Sequence, residues 1–288
     1  RHWPDSELKS IVFEKINILF IGKPKDIYAN LLELILTEKV WAKKIDLVFI
    51  DEFLRKQGIE YRNLTKDERI LPRIQELNKE YHRSFNPFNS GLVVRREFEI
   101  FQKYINDGKS FIIYGDAGIG KSGCAENIIS YCQKDHIPYL AIKLDKRIPS
   151  ETSNCWGESM GLPDSPVFCL DAISKNTKAV LILDQLDALR WTQAHSGEAL
   201  NVCFEIIHEI DGINRDREEC ISLVFVTRKY DLLNDRGISS LFEANTADNS
   251  WEKIEVQKLS EDDIRALTGE EYPKLSSKTK DLLANASN

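Results

Sequence analysis

The 288-residue chain contains no run of eighteen apolar residues free of charge, which excludes an ordinary membrane-spanning helix. Its six cysteines stand apart at 124, 132, 155, 169, 203 and 220, without a CxxC pair or a histidine at ligand spacing. That spacing argues against a zinc or redox motif. Most lie in apolar runs, as Cys203 does in Val202-Cys203-Phe204, so they read as reduced core thiols of a protein expected in the cytoplasm. A basic surplus is lacking too: net charge is −7 and pI is near 5.4, so no direct nucleic-acid site is evident. The first residues show no basic stretch, apolar core and small-residue cleavage site in order, hence no secretory signal. The chain starts at Arg1 without Met and stops mid-pattern at Asn288, and is read as a piece of a longer protein.

What is present is a foldable globular composition, 42% hydrophobic and 30% charged, long enough for one large domain or two ordinary ones. The charge is uneven. Residues 1–90 carry 16 basic and 14 acidic side chains, leaving 23 against 32 for residues 91–288. A phosphate site in that acidic part must rely on local geometry rather than on a bulk positive field.

Residues 1–84 read as a small all-helical domain. Ile11, Phe13, Ile16 and Leu19, then Tyr28, Leu31, Leu32 and Ile35, form apolar faces. Ile45–Leu54 ends at Gly58, a plausible C-cap, although its β-branched and aromatic residues leave a strand open. Thr65 followed by Glu68 fits a capping box opening a fourth helix through Leu71, Ile74, Leu77 and Tyr81, with Pro72 kinking it or moving its start. Nothing in these residues is a catalytic set, and His2 and His82 read as surface or packing histidines. Turn formers at 84–91 mark a connector. Short β-branched runs then recur at 111–114, 139–144, 179–183, 222–226 and 253–256, with helical stretches between most of them. This is the grammar of an α/β unit with a parallel sheet covered on both faces. The expected organisation is an adaptor over 1–84, a P-loop core over 85–258 and the start of a helical lid over 259–288.

The first of these strands runs into Gly115-Asp116-Ala117-Gly118-Ile119-Gly120-Lys121-Ser122, which matches GxxxxGK[ST] and leads directly into a helix. Glycines let such a loop curl so that backbone N–H groups face phosphate oxygens, and the helix start adds its positive dipole end. Lys121 is expected to reach the β- and γ-phosphates and Ser122 to ligate Mg²⁺. The run Val180-Leu181-Ile182-Leu183-Asp184 supplies a buried strand ending in a carboxylate for the metal. One strand, 139–144, separates the two elements in sequence, which favours the branch with sheet order 5-1-4-3-2. Gln185 follows Asp184; it can orient a water but cannot take its proton. Asp187 is the nearest alternative carboxylate, or else caps the segment after it. Arg228, closing the strand Phe225-Val226-Thr227-Arg228, can neutralise phosphate charge, or else pairs on the surface with Asp231 or Asp235. Asn214–Glu219 reads as a solvated loop.

With these motifs in place, residues 91–265 resemble the STAND class of signalling NTPases, the group containing NACHT-type ATPases. Val180–Asp187 resembles the NACHT-like hhhhDGhD pattern, and Phe225–Arg228 resembles the arginine-bearing sensor strand. Val93-Val94-Arg95-Arg96-Glu97 resembles the hhGRE motif, with Arg95 where that motif has glycine. Val256–Ile264 resembles the start of the lid. The resemblance implies Arg96 and Glu97 near the adenine, ATP and ADP as ligands with Mg²⁺, and a switch that self-associates through its ATPase domain. It also implies an N-terminal effector and a C-terminal sensor elsewhere in a longer chain, in the manner of bacterial anti-phage defence. Two alternatives stand beside it: an AAA+-type remodelling ATPase, against which Gln185 speaks, and a nucleotide-binding scaffold that never hydrolyses.

Overall fold

A computed structural model describes residues 6–36, 46–85, 94–191, 196–243 and 251–285. His2 and most of the 84–91 connector lie outside them. Helices α1 (Ser6–Leu19), α2 (Pro24–Leu36) and α3 (Leu47–Lys56) come first, with β1 (Phe20–Ile21) pairing antiparallel to β2 (Glu60–Tyr61). Ile16, Phe20, Ile27, Leu54 and Ile59 form their core. Ile45 lies outside the described residues; from Leu47 onward the ambiguous stretch is helix. Asp46 caps it by accepting from the Phe49 amide at 3.0 Å, and Gly58 closes it at φ +71°. There Gly58 N–H donates to Arg55 O (3.0 Å) and Ile59 N–H to Leu54 O (2.9 Å), a Schellman closure. The N-terminal part is thus helical with one two-residue ladder added.

Helix α4 (Ile70–Arg83) starts four residues later than the Thr65 cap predicts. Pro72 lies in its first turn, where a missing N–H costs no helical bond. Thr65 instead donates to the Asn63 side chain at 3.2 Å. Then follow α5 (Phe98–Asn106), β3 (Phe111–Gly115), α6 (Lys121–Lys134), β4 (Tyr139–Lys143), α7 (Ser153–Ser159), α8 (Pro166–Ser174) and β5 (Ala179–Asp184). A 3₁₀ turn over Leu186–Trp191 leads to α9 (Ser196–Asn214), β6 (Ile221–Arg228), α10 (Lys229–Asn234), α11 (Arg236–Ser240) and β7 (Glu252–Glu255). Last come α12 (Glu261–Thr268), opened by a Ser260/Asp263 capping box, and α13 (Ser277–Asn285).

The five core strands run parallel in the order β4-β5-β6-β3-β7. Counted among themselves and read from the β7 edge, this is 5-1-4-3-2, as the motif spacing predicts. Alternate residues feed two separate cores. Ile112, Leu181, Leu183, Leu223 and Phe225 face a layer with α4, α7, α8 and α9. Phe111, Ile113, Val180, Ile182, Val224 and Val226 face α5 and α6. Burial on both faces explains why these strands are continuous apolar runs. Ile70, Ile74 and Leu77 place α4 in the first of these cores, against the five-stranded sheet.

Arg62, just after β2, joins the N-terminal helices to this layer. It donates to the carbonyls of Asn17 and Phe20 (both 3.2 Å), pairs with buried Asp164, and lies 3.9 Å from the Phe168 ring centre. Arg215, Asp216, Glu218 and Glu219 are exposed, as a solvated loop requires, but Arg217 departs from that reading: its side chain is buried against Asp171, Ser174 and the Thr177 carbonyl. Cys124, Cys132, Cys169 and Cys203 are buried, and burial pushes each thiol up to about 12.

Beside the Arg62–Asp164 pair, Glu209 of α9 accepts hydrogen bonds from Ser153 Oγ (2.6 Å) and Ser165 Oγ. Burial raises its carboxyl from 4.5 to about 7. The folded state therefore holds this proton more tightly than the unfolded chain does. The associated stability is full below about pH 4.5 and is lost as pH rises through about 7. Glu209→Gln is expected to flatten that decline. Urea midpoints at pH 5.5 and pH 8 check this, and an unchanged slope in the variant would contradict it.

Candidate functional site

The phosphate loop leaves β3 at Gly115 and enters α6 at Lys121. Its glycines have two different reasons. Gly118 and Gly120 sit at φ +77° and +94°, the left-handed region that side chains disfavour. Gly115 is a matter of space: a Cβ would lie 2.9 Å from Ile119 Cγ2 and 3.2 Å from the Val256 carbonyl. Asp116, Ala117 and Gly118 are exposed at the loop tip, whereas Ile119 is buried beneath it. Lys121 folds back over the loop, its Nζ 3.1 Å from Gly115 O and 2.6 Å from Asp116 O. Burial lowers its pKa, opposed first by the charge of Asp187.

Asp184 ends β5 almost fully buried. Its Oδ2 accepts from Ser122 Oγ at 3.2 Å, so the two residues expected to hold the metal meet. The same oxygen accepts from Tyr81 OH at 2.9 Å. Burial pushes the Asp184 carboxyl up; the charge of Lys143, its register partner on β4, and the two hydroxyls oppose that. In sequence Tyr81 is one apolar position of an amphipathic helix, and nothing local marks its hydroxyl as part of the site.

Gln185 turns the chain at φ +65°, a conformation costly for a non-glycine residue. Asp187 lies inside the 3₁₀ turn, where burial raises its carboxyl and Arg228 counteracts this. Arg228 Nε is 2.8 Å from Asp187 Oδ2. The two residues singled out separately in sequence thus pair with each other. Asp231 and Asp235 are instead engaged by Arg190, at 2.7 and 3.7 Å. Thr227, one residue before Arg228, is buried with its hydroxyl unpartnered at the end of β6. Its signal in sequence was only that of a polar residue ending an apolar strand.

Arg95, Arg96 and Glu97 form a clamp on the chain leaving β7. Glu97 Oε1 accepts from Gln257 N–H at 2.9 Å, and Arg95 donates to the Gln257 carbonyl. Arg96 donates to Lys258 O at 2.6 Å and lies 3.5 Å from Asp263. The Arg95 amide donates to Asn127 of α6 at 2.8 Å, which sets the clamp beside the helix of the phosphate loop.

The chemistry of these groups fits a magnesium–nucleotide complex. A hydroxyl and a carboxylate are the hard oxygen donors magnesium prefers. A curled glycine loop opening a helix, with a lysine over it, suits polyphosphate. The orphan hydroxyl of Thr227 leaves one polar group in want of a partner at the same strand ends.

Residues 111–245 match the model of the ATPase family associated with various cellular activities (AAA). Over that segment the chain has the α/β fold of a P-loop NTPase and is similar to AAA-family ATPase domains. Similar solved structures include Rif2 in complex with the C-terminal domain of Rap1, at 13% identity and TM-score 0.40 over 83% of this chain and 72% of that one. Domain III of the Thermotoga maritima replication initiation protein DnaA aligns at 14% identity and TM-score 0.40, covering 69% and 82% of the two chains. AMPPCP-bound DnaA from Aquifex aeolicus aligns at 14% and TM-score 0.43, covering 68% and 57%. Likenesses this remote carry no functional inference. No curated protein matches the chain. Among the described residues no helix is long and apolar enough to cross a membrane.

Proposed function

We propose that this chain is an ATP-binding switch that hydrolyses slowly, the core of a STAND-type signalling sensor that self-associates through its ATPase domain. The observation that carries the reading is the composition around the metal-site carboxylate. Gln185 stands where a fast ATPase keeps a base, and the nearby carboxylate of Asp187 is held by Arg228 at 2.8 Å. Lys121, Ser122 and Asp184 would hold Mg·ATP, whose metal neutralises phosphate charge; the clamp at Arg96 and Glu97 would lie near the base. Residues 1–84 then serve as an adaptor and 259–288 as the start of a lid. Effector and sensor regions of a longer cytoplasmic chain, in an anti-phage role, complete the proposal.

The AAA+ remodelling reading draws on the family match over residues 111–245. Steady-state turnover separates the two: sustained rapid hydrolysis favours the motor, and one slow turnover followed by retained ADP favours the switch. A site that binds ATP and never cleaves it leaves only the scaffold. Asp184→Ala is expected to retain nucleotide binding and lose its magnesium dependence. Calorimetric titration of ADP with and without Mg²⁺ checks this, and an equal magnesium response in parent and variant refutes the assignment.

A further inference from the structure

Two consecutive side chains of α4 reach the metal-site carboxylate and the helix that follows the phosphate loop. Tyr81, 4% exposed, donates to Asp184 Oδ2 at 2.9 Å. His82 Nδ1 lies 3.0 Å from Oε2 of Glu126, a buried carboxylate on α6, the helix that Lys121 begins. Helix α4 is itself fixed to the sheet. The Asn78 side chain donates to Tyr139 O (2.8 Å) and accepts from Ala141 N–H (2.9 Å), completing the open edge of β4 as an added strand would. The helix lies outside the segment matched to the ATPase family, and residues 62–69 join it directly to the N-terminal helices.

We infer that Tyr81 is a positioning residue for the metal-site carboxylate, and that through it α4 is coupled to the metal–nucleotide state of the site. The inference rests on the nucleotide-switch reading above. Asp184 is buried, and the Tyr81 hydroxyl (2.9 Å) and the Ser122 hydroxyl (3.2 Å) both donate to its Oδ2, so Tyr81 fixes the orientation in which this carboxylate and Ser122 would face the metal. Linkage then works in both directions: if Tyr81 raises metal affinity, the metal must hold Tyr81, and α4 with it, by the same factor. A tyrosine that merely fills the core would produce neither effect.

The test is a Mg²⁺ titration of the ADP-saturated protein, comparing parent with Tyr81→Phe. The variant is expected to lose about tenfold in Mg²⁺ affinity, as for a hydrogen bond to a charged group, while its ADP affinity in excess EDTA is unchanged. Hydrogen exchange on the parent supplies a second reading that needs no variant. Amides of residues 70–83 are expected to exchange more slowly with Mg·ADP than with ADP and EDTA, and Tyr81→Phe is expected to abolish that difference. Equal Mg²⁺ affinity in the two proteins, or α4 amides in the parent indifferent to magnesium, overturns the inference while leaving nucleotide binding intact. A parent that binds neither ADP nor Mg·ADP overturns the nucleotide reading and this inference with it.

Discussion

Lys121→Ala is expected to weaken ATP and ADP binding by about a hundredfold or more while leaving the fold intact. The lysine contributes a positive charge over the loop. Each hydrogen bond from a charged donor to phosphate is worth about 1.5–3 kcal/mol, and one of about 2.7 kcal/mol already amounts to a factor of a hundred. Its loss from the unliganded fold costs little, because its present acceptors are the carbonyls of Gly115 and Asp116. The Asp116 carbonyl is expected to turn to water instead, since the loop tip is exposed. Calorimetry with ADP measures the affinity, and a urea curve measures the fold. Chromatography of nucleotide released from the denatured protein adds an independent reading: ADP is expected from the parent and none from the variant. Unchanged affinity with a normal urea curve would falsify the phosphate-loop assignment.

The parts of the molecule legible in sequence are those fixed by local pattern. The P-loop strings its residues in one unbroken segment, so Gly115–Ser122 announces its geometry directly. Strands buried on both faces are apolar at every position, which separates them from helices and predicts the parallel sheet. The sheet order followed from counting one strand between Lys121 and Asp184. What stayed hidden depends on pairs brought together only by the fold. Tyr81 and Asp184 are far apart in sequence, and an apolar stripe says that a tyrosine is buried, not what its hydroxyl meets. Asp187 and Arg228 could each be picked out alone, yet their pairing needed β5 and β6 side by side. Arg217 looked like one charge in a polar loop because its acceptors come from α8 and the turn after it. Helix α4 reads in sequence with the N-terminal helices because its periodicity shows an apolar face without naming the surface it covers, which in the fold is the sheet.

Arg62→Met is expected to be the most destabilising of these substitutions, at about 3–5 kcal/mol, the usual cost of removing one partner of a buried ion pair. Asp164 is 1% exposed and would be left without its counter-ion, beside Glu209, whose raised carboxyl already reflects a poorly solvated region. The Asn17 and Phe20 carbonyls would lose their donor as well, loosening the N-terminal helices from α7 and α8. Replacing both partners, Arg62→Met with Asp164→Leu, removes the stranded charge. The double variant is expected to recover much of the loss, though not all. The Ser165 amide loses an acceptor at 2.7 Å, and the contact of the guanidinium on Phe168 is replaced by a thioether. Urea unfolding of the four proteins in the cycle gives the coupling directly. Additive losses, with the double variant worse than either single one, would mean that Arg62 acts by packing alone. A strongly positive coupling identifies the pair as the electrostatic pin between the N-terminal helices and the ATPase layer. Limited proteolysis then distinguishes local release of residues 6–61 from global unfolding, because only local release leaves a protected ATPase core in Arg62→Met.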